Sequence, residues 1–334
     1  MKLKDIAKIA GVSAVTVSNV INGNHHKVSK ETIEKVQKII DEYNYRPNAT
    51  ARSLVSKESK IIGVVIPNLK ENEGFAVSPY NSQIVAHLEN FIRKQGYYLM
   101  IRSTGRCKDT IPFFATWNVD GIIFLGTFKH EIEDIQKQLK VPAVFVDTYA
   151  EEYNIVNIGI DDYKGGYLAT RYLISKGHRE IAFAGPHLDS PGVIQERYRG
   201  YCAACTEKVI EIQESNVFSA FTFYEEGVRV GKEVAFSKKH FTAVVATSDI
   251  LAIGIMDGLR MSGVRVPDDI SVIGFDDLPE CKYSNPQLTT IGQDIEKKAV
   301  LAVEQLLKLI RNECVNNKVL LDVDIIERYS VKEI

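Results

Sequence analysis

Two periodicities of apolar and polar positions divide the chain. In the first sixty residues, Leu3, Ile6, Ala7 and Ala10 recur at helical spacing and stop at Gly11, which predicts a short amphipathic helix over 3–10. Gly11-Val12-Ser13 makes a tight turn, and Ser13 is placed to cap a second helix over 14–22. In that helix Val17, Val20 and Ile21 share one face, while Ala14, Val15, Ser18, Asn19 and Asn22 share the other. Asn22-Gly23-Asn24 ends it, and Ser29 caps a third helix whose inner face is Ile33, Val36, Ile40 and Tyr43. Three short helices with a glycine turn between the first two make a helix-turn-helix.

From Ile61 onward, apolar strands alternate with amphipathic helices, the signature of a parallel-sheet α/β fold. Strands are predicted at Ile61–Pro67, Tyr97–Ser103, Gly121–Gly126, Ala143–Asp147 and near Ile155–Ile160, then at Glu180–Gly185, Ser219–Phe223, Ala243–Thr247 and Ser271–Phe275. Helices are predicted over Pro79–Gln95, 163–176, 192–207, 225–237, 249–262 and Asp294–Arg311, with a closing strand near Val319–Glu327. Two such series place strand ends across a shared cleft, where ligands bind in open α/β sheets.

Size and charge sharpen this division. A chain of 334 residues exceeds what one core normally serves, and its 45% hydrophobic and 25% charged residues exclude a disordered or fibrous protein. The longest apolar runs, such as Ile61–Pro67, are too short to span a bilayer, and Met1-Lys2-Leu3-Lys4-Asp5 does not open a secretory signal. A cytoplasmic protein with no membrane partner is expected. Residues 1–60 carry 11 Lys and Arg against 6 Asp and Glu, whereas the remainder carries 30 against 37. A basic module on an acidic body suggests that only the module meets a polyanion, although a solvated basic face explains the same numbers.

The outward face of the second helix is small and polar, as a helix inserted in a DNA groove requires. Ala14 and Val15 can meet thymine methyls, Asn19 can pair with a base edge, and Thr16, Ser18 and Asn22 suit phosphates, with Ser13 at the helix start. Beyond it, Pro47 ends the preceding order, and residues 49–55 can form two helical turns with Ala51 and Leu54 on one side. That apolar edge could wedge into a minor-groove step; a plain linker is the other reading. Neither half carries a nucleophile elbow, phosphate loop, zinc motif or dinucleotide fingerprint in context, so neither an enzyme nor a cofactor is expected. Cys202 and Cys205, the one close pair among five cysteines, read as small residues on a helix face. Asp161-Asp162 and Asp276-Asp277 read as caps before metal ligands, and His178 reads as structural.

The strings Lys4-Asp5-Ile6-Ala7, Ala10-Gly11-Val12-Ser13, Thr16-Val17-Ser18, Val20-Ile21-Asn22-Gly23, Tyr45-Arg46-Pro47-Asn48 and Ala51-Arg52-Ser53-Leu54 together resemble the headpiece and hinge of the lactose-repressor (LacI/GalR) family. Further matches are Val119-Asp120-Gly121-Ile122-Ile123, Glu196-Arg197-Tyr198-Arg199-Gly200 and Val272-Ile273-Gly274-Phe275-Asp276-Asp277, which resemble the periplasmic-binding-protein-like core of the same family. The resemblance implies an all-α helix-turn-helix domain over 1–46, a hinge helix and linker over 47–58, and an effector-binding, dimerising core over 59–334. Within that core it implies an N-subdomain of about 61–159 plus 292–319 and a C-subdomain of about 160–291 plus 320–334, the chain crossing three times. It also implies a hinge helix that forms only on operator DNA, pairs with its dimer mate and inserts Leu54, with Ala51 and Arg52 beside it. The family usually has Arg where this chain has Asn19, so a different half-site is implied.

Ligand chemistry is expected at strand ends. Arg197 offers a rigid fork of donors and Asp276 can accept two hydroxyls, which suits a polyol in a dry cleft. Asp147 ends a strand and Ser248 precedes a helix, so each can point into that cleft, and capping is the alternative for each Asp. The resemblance places Asp147, Arg197, Ser248 and Asp276 where the effector is often touched, Tyr80 where an aromatic often lines the pocket, and a stacking ring near Phe221 or Phe223. It implies an operator-binding repressor of carbohydrate genes released by a saccharide or sugar phosphate. A regulator controlled by a phosphocarrier protein, a corepressor-activated repressor and a sugar-transport protein are the alternatives.

Overall fold

The computed structural model describes residues 1–45, 58–68, 76, 78–150, 152–186 and 192–334. They form two compact units, Met1–Lys60 and Ile61–Ile334. In the first unit α1 (Leu3–Ala10), α2 (Ala14–Ile21) and α3 (Lys30–Glu42) enclose a core of Ile6, Ala7, Ala10, Val17, Val20, Val36 and Ile39. Gly11 takes the left-handed conformation at φ 66°, its N–H bonding the Lys8 carbonyl while the Val12 N–H reaches Ala7. This paired closure ends α1 within one residue and turns the chain sharply into α2. The expected inward Tyr43 is exposed instead: it is the C-cap of α3, the chain turns there through left-handed Asn44, and Tyr45 packs on the core in its place.

The second unit holds two six-stranded sheets. The first runs β11 (Lys318–Leu321), β5 (Asn157–Ile160), β4 (Ala143–Val146), β3 (Gly121–Leu125), β1 (Ile61–Pro67) and β2 (Tyr98–Thr104), all parallel. The second runs β12 (Val323–Ile326), β10 (Thr289–Gln293), β9 (Ser271–Asp276), β8 (Ala243–Ala246), β6 (Ile181–Gly185) and β7 (Val217–Ser219), parallel except for the β10–β12 pair. Central strands such as β3, β6 and β9 are buried throughout, as sheets covered on both faces require.

Helices α4 (Pro79–Lys94) and α11 (Ile295–Ile310) share one apolar cluster with the first sheet, α5 (Ile111–Thr116) and α6 (Ile132–Gln138) another. Helices α7 (Asp162–Ser175), α8 (Val193–Glu207), α9 (Tyr224–Ala235) and α10 (Asp249–Met261) cover the second sheet. The chain passes between the sheets at β5–α7, β10–α11 and β11–β12.

The structure corrects several expectations. The strand placed at Ser219–Phe223 is found at Val217–Ser219, because the Phe223 N–H turns back to the Phe221 carbonyl and Phe223 becomes the N-cap of α9. The single closing strand expected near Val319–Glu327 is two strands in different sheets, parted at Asp322. Strand β10 and helix α6 go beyond the predicted elements. The pattern hides β10 because Thr289 and Thr290 interrupt its apolar run while lying fully buried.

Candidate functional site

In the first unit, Ser13 Oγ accepts the Thr16 N–H at 3.0 Å and so fixes the start of α2. Ser13 and Thr16 also share a hydroxyl–hydroxyl bond of 2.9 Å, and Asn22 donates to Ser18 Oγ at 3.1 Å. Val15 is exposed, Asn19 and Ser18 are half-buried, and Ala14 leans partly onto the core. Lys2, Lys4, Lys8, Lys27, Lys30, Lys35 and Lys38 are all exposed. The expected contacts at Ala51, Arg52 and Leu54 lie outside the described residues.

In the second unit, the strand ends of both sheets border a cavity of about 420 Å³. All seven expected effector residues, Tyr80, Asp147, Arg197, Phe221, Phe223, Ser248 and Asp276, line it. Ser248 also caps α10 through the Leu251 N–H at 3.4 Å. A larger cavity of about 600 Å³ touches Asp147 and Tyr149 too, but exposed residues such as Glu152, Asn154, Asn317 and Lys318 make up much of its wall. The buried charges converge on the former.

Those charges form one connected network. Lys298 Nζ, on the inner face of α11 and fully buried, donates to Asp147 Oδ1 at 2.8 Å, to Gln293 Oε1 at 2.5 Å and to Tyr80 Oη at 3.1 Å. The Tyr80 hydroxyl donates to Asp147 Oδ2 at 2.5 Å, and Gln293 Nε2 donates to Asp276 Oδ1 at 2.6 Å. Arg197 Nη1 stands 3.9 Å from Asp276 and donates to the Thr247 carbonyl at 2.6 Å, while Nε donates to Asp162 Oδ1 at 2.8 Å. Its guanidinium lies 3.5 Å from the centre of the Phe275 ring, a packed cation–π contact. Tyr149 closes the network by donating to Asp162 Oδ2 at 2.7 Å.

Neither Asp147 nor Asp276 caps a helix. Asp161 does, accepting the Lys164 N–H at 2.8 Å, whereas its neighbour Asp162 belongs to Arg197. Asp277 pairs with Arg328 at 2.5 Å. Asp147, Asp276 and Asp277 have φ of 54°, 119° and 58°, a backbone strain that side-chain partners at a binding site can sustain. Burial pushes the Asp276 carboxyl up to about 6, with Arg197 and Gln293 opposing, and pushes Asp162 up against the pull of Arg197. Asp249 stands behind them: burial, then the charge of Asp276, raise it to about 8. Thr247 Oγ1 is buried with no hydrogen-bond partner among the described residues.

His178 bonds Thr242 and the Lys332 carbonyl, and Cys202 and Cys205 pack on α8 beside the second core. Among the described residues no group of three or more His, Cys, Asp or Glu is placed to hold a metal ion, and no helix is long and apolar enough to cross a membrane. The sequence reading missed Lys298, Gln293, Asp162 and Tyr149. Lys298 left a signal, since Ile295, Ala299, Ala302 and Val303 surround it on a largely apolar helix face.

A helix-turn-helix unit joined to a two-sheet core with a polar cleft defines a DNA-binding regulator of the ligand-sensing class. Residues 2–48 match the bacterial regulatory proteins of the lacI family, and residues 170–331 match a periplasmic binding protein-like domain. The HTH-type transcriptional repressor PurR of Vibrio atlanticus (strain LGP32) is 33% identical over 99% of this chain and 98% of its own. The ribose operon repressor of Haemophilus influenzae is 34% identical over 95% and 94%. The crystal structure of the lac repressor dimer bound to operator and the anti-inducer ONPF superposes with a TM-score of 0.88 at 29% identity, covering 99% of each chain. The chain belongs to the lacI family of bacterial regulatory proteins.

Proposed function

We propose that the protein is a dimeric transcriptional repressor that binds a pseudo-palindromic operator through its helix-turn-helix units and releases it when a small, uncharged, hydroxyl-rich effector occupies the cleft. The division of labour follows the sequence: 1–46 reads DNA, 47–58 links, and 59–334 senses and dimerises. Val15, Ala14 and Asn19 would meet base edges, with Ser13, Thr16, Ser18 and Asn22 at phosphates. The observation that carries the effector class is the charge of the cleft. Arg197, which lines the cavity, and Lys298, buried behind its wall, are already matched by Asp147, Asp162 and Asp276, and no Lys or His and no other Arg lines the cavity among the described residues. Carboxylates that accept paired hydroxyls suit a saccharide, while a phosphate ester would find no spare cation.

Among the relatives, the ribose operon repressor has a name that agrees with this chemistry. A thermal-shift screen of mono- and disaccharides, their phosphates and purines tests it, because a ligand that binds only the native state raises its melting temperature. A neutral sugar should give the largest shift. A purine or a phosphate ester shifting it more would contradict the reading.

A further inference from the structure

Lys298 is the one charged side chain on the inner face of α11, and it is fully buried. It does not line the cavity, yet its three N–H donors reach Tyr80, Asp147 and Gln293, which do. These come from the start of α4, the end of β4 and the end of β10, so one ammonium gathers ligand-facing groups from three elements. Its charge also cancels that of Asp147, whose side chain keeps 14% exposure at the cleft. An ammonium is a compact point charge that can be shared among several oxygens in this way.

We infer that Lys298 is the positioning residue that sets the ligand class of the cleft: by neutralising Asp147 from behind, it leaves the site matched to uncharged hydroxyls and unsuited to an ammonium-bearing ligand. This rests on the proposed effector reading. Without Lys298, Asp147 would face the cavity as an uncompensated carboxylate and recruit a cation. Without Asp147, the lysine would be the uncompensated charge and recruit an anion.

Binding of glucose, galactose, glucosamine, galactosamine and glucose 6-phosphate to the full chain and to Lys298→Met, Asp147→Asn and the double variant tests this by calorimetry at mildly acidic pH. The wild type should prefer each neutral sugar to its amino counterpart. In Lys298→Met that preference should move toward the amino sugar by on the order of tenfold, the change one unpaired charge can make. In Asp147→Asn it should move toward the phosphate ester, and the double variant, with both charges gone, should return to the wild-type order. Either single variant decides if the other does not fold. Unchanged ratios in the folded variants would overturn the role of Lys298 while leaving the effector reading intact. Failure of the wild type to bind any neutral sugar would instead overturn the effector reading, and the inference with it.

Discussion

Arg197 shows how much one side chain does in the cleft. It bonds Asp162 through Nε and the Thr247 carbonyl through Nη1, and its guanidinium sits over the Phe275 ring. Lysine keeps the charge but not the fork or the stacking plane. Arg197→Lys should therefore fold yet lose on the order of tenfold or more in effector affinity by calorimetry. Asp249 makes stability depend on pH. Its folded pKa of about 8 lies above the usual carboxylate value, so the native state holds a proton that the unfolded chain releases. Its contribution favours folding below the unfolded value and is lost as pH rises toward 8. Asp249→Asn should flatten the fall in melting temperature across that window; an unchanged slope would mean that Asp249 ionises normally. Asp276 was legible in the sequence because it ends a strand at the cleft, whereas Arg197, on α8, was placed there by the family resemblance. Lys298 was not legible, because a lysine on a helix is ordinarily solvated and only its apolar neighbours betray it.

At the scale of elements, the helix pairs are set by glycine. Gly166 and Gly200 bring α7 and α8 so close that an added Cβ would collide with the backbone at Arg197 and Tyr163 respectively. The Arg197–Asp162 bond spans the same pair. Gly200→Ala should cost about 1–3 kcal/mol in stability, as overpacking does, and weaken effector binding with it. Denaturant melts and calorimetry on the same variant check both. In the first unit, Ser13→Ala removes the cap of α2 and should cost about 1 kcal/mol there. Elements with clean periodicity, such as α2, α4 and α11, were readable to within about a turn. Strand β7 was not, because Phe221 and Phe223 look like strand residues yet turn into α9. Strand β10 was hidden by buried threonines whose side-chain partners are distant in sequence, the Arg328 N–H for Thr289 and Asp249 for Thr290.

For the whole molecule, the basic first unit and acidic remainder predict steep salt dependence. A protein that neutralises several phosphates loses on the order of a thousandfold in affinity between about 50 and 200 mM salt. Gel shifts across that range should show dimer binding that weakens accordingly. If the cleft is the switch, cleft and operator are linked sites, and an effector that weakens DNA binding by some factor is itself weakened by operator to the same degree. The sugar that gives the largest thermal shift should be titrated into the full protein with and without saturating operator duplex. Sugar binding should be weaker on operator, by the factor by which the sugar weakens the operator complex. Equal sugar affinities in the two titrations would contradict the linkage.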